Sequence, residues 1–308
     1  MNRCARLLDV PPGAGDSPLA VLTTFFTTVA YRRPLQNFHR FAQGVADAGV
    51  PLFCIECAVP GRPFLLPERP GLMRVVAEHP GWHKERLLNI LERAIPPRFQ
   101  QLAWIDADVL FDTPDWAWNT VAALRNAPVV QMFERAQWLD PHGAAVMTWP
   151  GVAVENGALA VPVQGLTAHP GFAWAMHRDV WRSCRGLLDR FGSMGADSVM
   201  GCAWMGQRYS SDDVARVPSV AAWVTRAGAV TRGVVGAVPG TVRHLWHGEY
   251  SNRQYGVLWE RLRCHGWNPD ADLIDSPVCP LMRPYLLARP EVFVPLYQEF
   301  FQQRREDG

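Results

Sequence analysis

The chain has 308 residues, 48% of them apolar and 19% charged, with a formal net charge of +1. That length supplies one large α/β domain or two ordinary ones, and the composition excludes a disordered or fibrous chain. The near-neutral balance excludes a broad basic field, so any contact with nucleic acid would have to come from a local arginine cluster.

The stretch MNRCARLLDVPPGAGDSP has no sustained apolar core before its Pro/Gly segment, and residues 1–18 read as an N-terminal tail. No run of about eighteen apolar residues occurs after it, so the expectation is a soluble cytoplasmic protein with no membrane insertion. LAVLTTFFTTVAY, from Leu19, is rich in β-branched and aromatic residues and predicts a buried strand. Leu35, Phe38, Phe41 and Val45 then recur at helical spacing, and Gly49 stops the helix. PLFCIECAV predicts a second strand, which makes the opening a β-α-β unit of a parallel sheet. Cys54 and Cys57 lie inside this apolar run and read as buried strand residues rather than a redox or zinc pair. The odd number of cysteines, seven, at scattered positions favours reduced thiols.

Residues 60–72 read as a Pro/Gly-rich loop. GWHKERLLNILERAIPPRF predicts a helix with Lys84, Leu88, Leu91 and Ile95 on one face, ended by Pro96 and Pro97. QLAWIDAD comes next, a strand-like run closing on Asp106 and Asp108. Thr113-Pro114-Asp115 then resembles a helix start, with Thr113 as the N-cap. Further on, APVVQMF and FAWAM read as strands, and Asp179 to Phe191, Ser198 to Met205 and Arg253 to Cys264 as helices. No linker divides the chain. The expected fold is a single α/β domain, Rossmann-like, with a mostly parallel sheet flanked by helices. Its first half, about 19–127, would face a nucleotide, and its second, about 128–308, whatever that ligand reacts with.

Two carboxylates two residues apart at the end of a buried strand can address one small volume, where they repel unless a cation joins them. A hard divalent ion with oxygen ligands is the natural partner, and such ions commonly hold a diphosphate as well. An identical Asp-Ala-Asp at Asp270 and Asp272 lies just after a Gly-Trp-Asn-Pro turn signal and reads as turn or helix-cap duty. His244-Leu-Trp-His247 can set two imidazoles on one side of a helical turn; the pair reads either as ordinary histidines or as nitrogen ligands for the same ion.

WIDADVLF resembles the D-x-D segment of metal-dependent GT-A glycosyltransferases. HLWH is similar to the Met-x-x-His metal-ligand segment of the beta-1,4-galactosyltransferases, with His244 at the methionine position. GSMGADSVM resembles their glycine-rich loop with an acidic catalytic base, although Met194, Gly195, Ala196 and Asp197 replace that loop's tryptophan and Glu-Asp pair. The resemblance spans about residues 19–265 and implies transfer of a hexose from a nucleotide sugar, UDP-glucose or UDP-galactose. It implies that Asp108 and His247, with His244, hold Mn²⁺ or Mg²⁺, that Asp106 holds the ribose or a metal-bound water, and that Asp197 is the base of an inverting reaction. Asp197 also reads as a helix cap.

Lys84, the only lysine, sits among leucines. A diphosphate or an acidic partner would satisfy it; otherwise it snorkels to the helix edge. Arg32 and Arg33 are candidates for donor phosphates or base, or plain surface. Glu56 is a candidate for the nucleoside, or an edge-facing strand residue. Arg253, with Asn252 and Tyr255, is a candidate to close over the donor. His169 and Trp174 could form an acceptor platform, against the alternative that the tryptophan is core. The absent anchor points to a bacterial or phage enzyme of the host cytoplasm. The acceptor reads as a glycan, a small molecule, or hydroxymethylated DNA as in base J and phage glucosyltransferases. A non-catalytic nucleotide-sugar or carbohydrate-binding module is the competing class.

Overall fold

A computed structural model describes residues 6–308 apart from 13, 14, 16, 27, 155–167, 210–215 and 255. The architecture is mixed α/β, a large central sheet flanked by helices. The opening unit is β1 (Leu19–Phe26), α1 (Arg33–Asp47), β2 (Leu52–Ala58), β3 (Leu72–Val76), α2 (Lys84–Ala94) and β4 (Gln101–Ile105). After it come β5 (Val109–Phe111), α3 (Trp116–Ala123), β6 (Val129–Gln131), β7 (Arg135–Leu139), β8 (Ala145–Pro150) and β9 (Ala173–His177). Next are α4 (Arg178–Ser183), α5 (Ala196–Trp204), the helix Pro218–Thr231, β10 (Val235–Ala237) and β11 (Thr241–His244). The helices Val257–Cys264 and Pro290–Gln303 lie beyond them.

The main sheet runs β10-β6-β9-β4-β1-β2-β3, with every neighbouring pair parallel except the two made by β9. Its central strands carry no polar face because helices cover both sides. Along β1, Ala20 and Leu22 enter one core with Phe53, Leu87, Leu91 and Trp104. Leu19 and Val21 enter the other, with Phe41, Leu52 and Ile105. Cys54 and Cys57 are buried in β2, where burial pushes both thiols up to about 12, so they are inert packing residues as read from the sequence. The expectation of reduced thiols fails at Cys279, which is disulfide-bonded.

Four local expectations are corrected. Leu72, expected to close a loop, instead opens β3, which runs to Val76 beside β2. The helix after the aspartates starts at Trp116 rather than Thr113, whose hydroxyl donates to Asp112. The helix expected over Asp179 to Phe191 stops at Ser183, because Arg185 and Gly186 turn left-handed at φ 64° and 92°. There a side chain on residue 186 would strike Asn89, so glycine is required by space as well as by backbone. The helix expected from Arg253 begins at Val257, after a separate 3₁₀ turn at Tyr250–Arg253 and left-handed residues Gln254 and Gly256. Asp270 and Asp272 have the structural duty expected of them. The Asp270 carboxylate accepts from Ser219 N, and that of Asp272 accepts from Asn268 N and Arg289.

A second sheet, β5-β11-β7-β8, places the chemistry. β5 starts directly after the Asp106–Asp108 turn and pairs antiparallel with β11, setting Val109 opposite His244. The backbone link continues one step further, where Leu245 N donates to Asp108 O at 2.7 Å. Two segments far apart in the chain are thereby locked together at the carboxyl end of β4, where ligands collect in open α/β sheets.

Candidate active site and metal centre

A cleft of about 1060 Å³ opens at that end of the sheet. Lys84, Asp106, Asp108, His169, Asp197, His244, His247 and Arg253 all face it. Asp106 and Asp108 lie in the turn beyond β4 rather than within the strand, and they have different partners. Asp106 Oδ1 is 2.5 Å from Lys84 Nζ, so the only lysine has the acidic partner its buried position called for. Burial alone would lower the Lys84 ammonium, but Asp106, Glu85 and Asp197 together raise it.

Asp108 Oδ2 stands 2.8 Å from His247 Nε2 and 3.5 Å from His244 Nε2, while its Oδ1 is buried without a hydrogen-bond partner among the described residues. One ligand atom from each of the three residues falls within 4.8 Å of the others. The histidines do not share a helical turn, as the sequence spacing suggested. His244 ends β11 and His247 lies in the loop beyond it. Phe172 stacks on the His244 ring at 4.8 Å, Trp138 tilts against it at 6.0 Å, and burial keeps the imidazole well below its ordinary pKa. A neutral imidazole presents a lone pair, the form that binds a metal. Phe172 is held at φ 74°, a left-handed conformation costing a bulky residue about 1–3 kcal/mol. Its carbonyl accepts from Asp106 N, so the strained residue braces both the aspartate turn and His244.

The Arg253 Nη1 lies 2.7 Å from the same His247 Nε2 that faces Asp108. A proton on Nε2 would serve Asp108 and oppose the arginine donor; a bare Nε2 would do the reverse. Asp108 and the two imidazoles would hold a divalent cation that satisfies the carboxylate without a proton on Nε2, and Arg253 would then have to give up its contact with that nitrogen. One carboxylate and two imidazoles are an ordinary donor set for Mn²⁺, so the residues fit such an ion. Burial acts to raise the Asp108 carboxyl, but His244, His247 and Arg253 hold it below the usual carboxylate range.

Asp197 lies in the first turn of α5, where the N-cap position is Gly195 at φ 99° and the Asp197 Oδ1 accepts from Ser198 N at 2.9 Å, part of the capping duty its sequence position suggested. It projects to the cleft, where a Cβ on Gly171 would meet its Oδ2. Glu85, which sequence reasoning passed over as a polar position on an amphipathic helix, is buried in the cleft wall. Burial, with Asp197 and Asp106, pushes its carboxyl up to about 8 against the pull of Lys84.

His169 lines the cleft as a neutral imidazole, its pKa taken down to about 3 by burial and by Lys84. Trp174 does not join it as a platform. Its indole is 2% exposed, donates to Pro170 O at 2.7 Å and packs on Trp204. Trp174 is therefore core, and Trp174→Ala should cost about 3 kcal/mol in urea unfolding, from lost packing. Glu56 is likewise absent from the cleft: it is 3% exposed, and its oxygens accept from Leu65 N, Leu66 N and Arg74. It pins the loop before β3. Arg32 is exposed, and Arg33 lies over the Trp246 ring at 5.1 Å; neither lines the cleft. Asn252 is half-buried in the 3₁₀ turn, and Tyr255 lies outside the described residues. Among the described residues no helix is long and apolar enough to cross a membrane.

No protein-family model and no curated protein sequence matches the chain. Among solved structures, the catalytic domain of Drosophila beta1,4-galactosyltransferase 7 in complex with xylobiose aligns at 11% identity and a TM-score of 0.42, over 91% of this chain and 98% of that one. A mannosyltransferase from Pyrobaculum calidifontis, in complex with GDP-Man and Mn²⁺, aligns at 13% identity and a TM-score of 0.44, over 97% of this chain and 77% of that one. A 4-diphosphocytidyl-2C-methyl-D-erythritol synthase from Anaerococcus prevotii aligns at 12% identity and a TM-score of 0.34, over 78% and 90%.

Proposed function

We propose that the protein is a metal-dependent glycosyltransferase of the GT-A type, moving a hexose from a nucleotide sugar to an acceptor hydroxyl with inversion. The observation that carries this reading is the meeting of Asp108, His244 and His247 beyond the parallel strands, in one cleft with Asp197. UDP-glucose and UDP-galactose are the favoured donors. The donor-facing half, 19–127, contributes Lys84, Asp106 and Asp108; the acceptor-facing half, 128–308, contributes Asp197, His169 and both histidine ligands.

Asp108, His244 and His247 would hold Mn²⁺ or Mg²⁺, which when bound neutralises the charge developing on a departing nucleoside diphosphate. Lys84 keeps Asp106 in place, leaving its second oxygen to accept from a ribose hydroxyl or a bound water. Asp197 accepts the proton of the acceptor hydroxyl as that oxygen bonds to the anomeric carbon and the bond to the diphosphate breaks. Arg253 lines the donor side, where its guanidinium suits phosphate oxygens. Trp138, Trp149 and Tyr250 supply apolar walls that keep water from competing with the acceptor.

The test measures nucleoside diphosphate released from UDP-glucose and UDP-galactose with Mn²⁺, in parallel arms containing a glycan, a small-molecule alcohol or hydroxymethylated DNA. Acceptor-dependent release in one arm supports the reading and identifies the acceptor. Donor binding without release in any arm defines a binding module instead. Asp197→Asn should lower acceptor-dependent release by about 100-fold, the usual worth of a positioned base, with donor affinity changed less than about threefold. Full turnover in that variant would remove Asp197 from the role.

A further inference from the structure

Residues 304–308, beyond the helix Pro290–Gln303, fold back onto the loop that carries His247. Four contacts hold them there. The Asp307 carboxylate accepts from Arg32 N and Arg33 N, each at 2.8 Å. Tyr31 Oη donates to Gln302 O at 2.7 Å and accepts from Arg305 N at 3.1 Å. Gly308 lies against the Trp246 ring, 3.1 Å from the position a Cβ would take. Gly248, at φ 89°, admits the Arg305 carbonyl so closely that a Cβ would come within 2.6 Å of it. The segment and the loop thus fit without room for a side chain at residue 248.

This placement sets the Glu306 carboxylate behind His247. Glu306 Oε1 is 3.2 Å from His247 Nδ1, close but short of hydrogen-bond alignment, and that buried nitrogen has no hydrogen-bond partner among the described residues. The same oxygen accepts from Arg304 Nε at 2.7 Å, so the carboxylate is fixed from both sides. On the far side of the ring, Nε2 faces both the Arg253 donor at 2.7 Å and the Asp108 acceptor at 2.8 Å; wherever the Nε2 lone pair is engaged by a donor or a metal, the proton of a neutral ring lies on Nδ1, toward Glu306.

We infer that Glu306 is a positioning residue for the candidate metal ligand His247, fixing the Nδ1-protonated tautomer and the ring orientation that turns the Nε2 lone pair toward Asp108. The inference rests on the proposed metal role of Asp108, His244 and His247, and adds to it a carboxylate contributed by a segment outside every motif noted in the sequence. Carboxylates that receive the distal N–H of a metal-bound imidazole raise its basicity and restrict its rotation, and their loss typically costs about 10–100-fold in metal affinity.

The test uses the full chain without donor or acceptor and tracks two signals. Heteronuclear NMR of the metal-free protein reads the His247 tautomer, and titration with Mn²⁺ alone reads affinity. Wild type should show a single Nδ1-protonated tautomer. Glu306→Ala should mix the two tautomers and weaken Mn²⁺ by about 10–100-fold, and Glu306→Gln, which keeps an acceptor oxygen, should retain the tautomer and lose less affinity. Asp307→Asn removes a neighbouring charge and keeps an acceptor oxygen for Arg32 N and Arg33 N, so Glu306 stays in place and affinity should change by less than about threefold. A loss in Asp307→Asn equal to that in Glu306→Ala would show that the segment acts only through its overall charge and packing. An unchanged tautomer and unchanged affinity in Glu306→Ala would also overturn the inference, while Asp108→Ala still abolished Mn²⁺ binding. Should wild type bind no Mn²⁺ at all, the metal reading itself fails, a distinct result.

Discussion

Asp108→Ala should lose about 10³-fold in metal-dependent turnover, which corresponds to about 4 kcal/mol of transition-state stabilisation. Asp108 is the only carboxylate of the group formed with His244 and His247, so its removal leaves two imidazoles, a poor site for a hard divalent ion. The fold should be unharmed. In the metal-free protein Asp108 carries a buried oxygen without a partner and a second oxygen in conflict over His247 Nε2. Removing such groups relieves a desolvation cost, so the melting temperature should hold or rise without metal. Added Mn²⁺ should raise the melting temperature of wild type and not of the variant, because an ion bound only to the folded state stabilises it by mass action. Turnover within tenfold of wild type would remove the aspartate from the proposed metal centre. A variant that simply unfolds would contradict the same account and show that the contacts of Asp108 with His244 and His247 hold the fold. Stability and activity moving in opposite directions is the signature sought, and it separates a site residue from a packing residue such as Trp174.

The same contrast explains which parts were legible in the sequence. β1, β2 and β4 are apolar on both faces, and α1 and α2 carry full helical periodicities, so each announces itself within its own window. β5 and β10 have three residues each and β11 has four, too few to show a period, and they exist because distant strands pair with them. The HLWH stretch shows the consequence. Its spacing suits a helical turn, but pairing of Thr241–His244 with β5 and β7 makes its first residue the end of a strand. The right residues therefore meet for a reason the spacing did not contain. Lys84 was legible as a charge in need of a partner; that the partner is Asp106 depends on how α2 lies against the end of β4. Glu56 and Trp174, each read from the sequence as either a site residue or a structural one, are placed away from the cleft. A glutamate at a strand end and a tryptophan beside a histidine fit a binding site, yet both are consumed by their neighbours. Glu306 gave no local signal, because Arg-Arg-Glu-Asp-Gly reads as a solvated run until the fold seats it behind an imidazole.

Glu85→Gln should change how stability depends on pH. The unfolded glutamate loses its proton near the ordinary value of 4.5, whereas in the folded protein burial, with Asp197 and Asp106, carries the carboxyl up to about 8. Between those values the native state keeps a proton that the unfolded state has released. The sign comes from linkage: the contribution of Glu85 is fully present below about pH 4.5, declines as pH rises, and is gone above about pH 8. At roughly 1.4 kcal/mol per unit, the whole swing is on the order of 5 kcal/mol, an upper figure because Lys84 and two other carboxyls titrate in the same field. Glutamine copies the protonated acid in shape and charge, so the variant should match wild type near pH 5 and exceed it by several kcal/mol near pH 9. Urea unfolding at pH 5, 7 and 9 measures this, and parallel profiles for the two proteins would show that Glu85 ionises normally. A neutral Glu85 at pH 7 also matters to the chemistry. It adds no second negative charge beside Asp197, and it leaves the Lys84 cation free to hold Asp106. Above about pH 8 a second carboxylate charge develops beside the only lysine in the chain and weakens its attraction for Asp106. Turnover of wild type should therefore fall on the alkaline side at a point that Glu85→Gln moves upward, provided that the variant retains activity at pH 7.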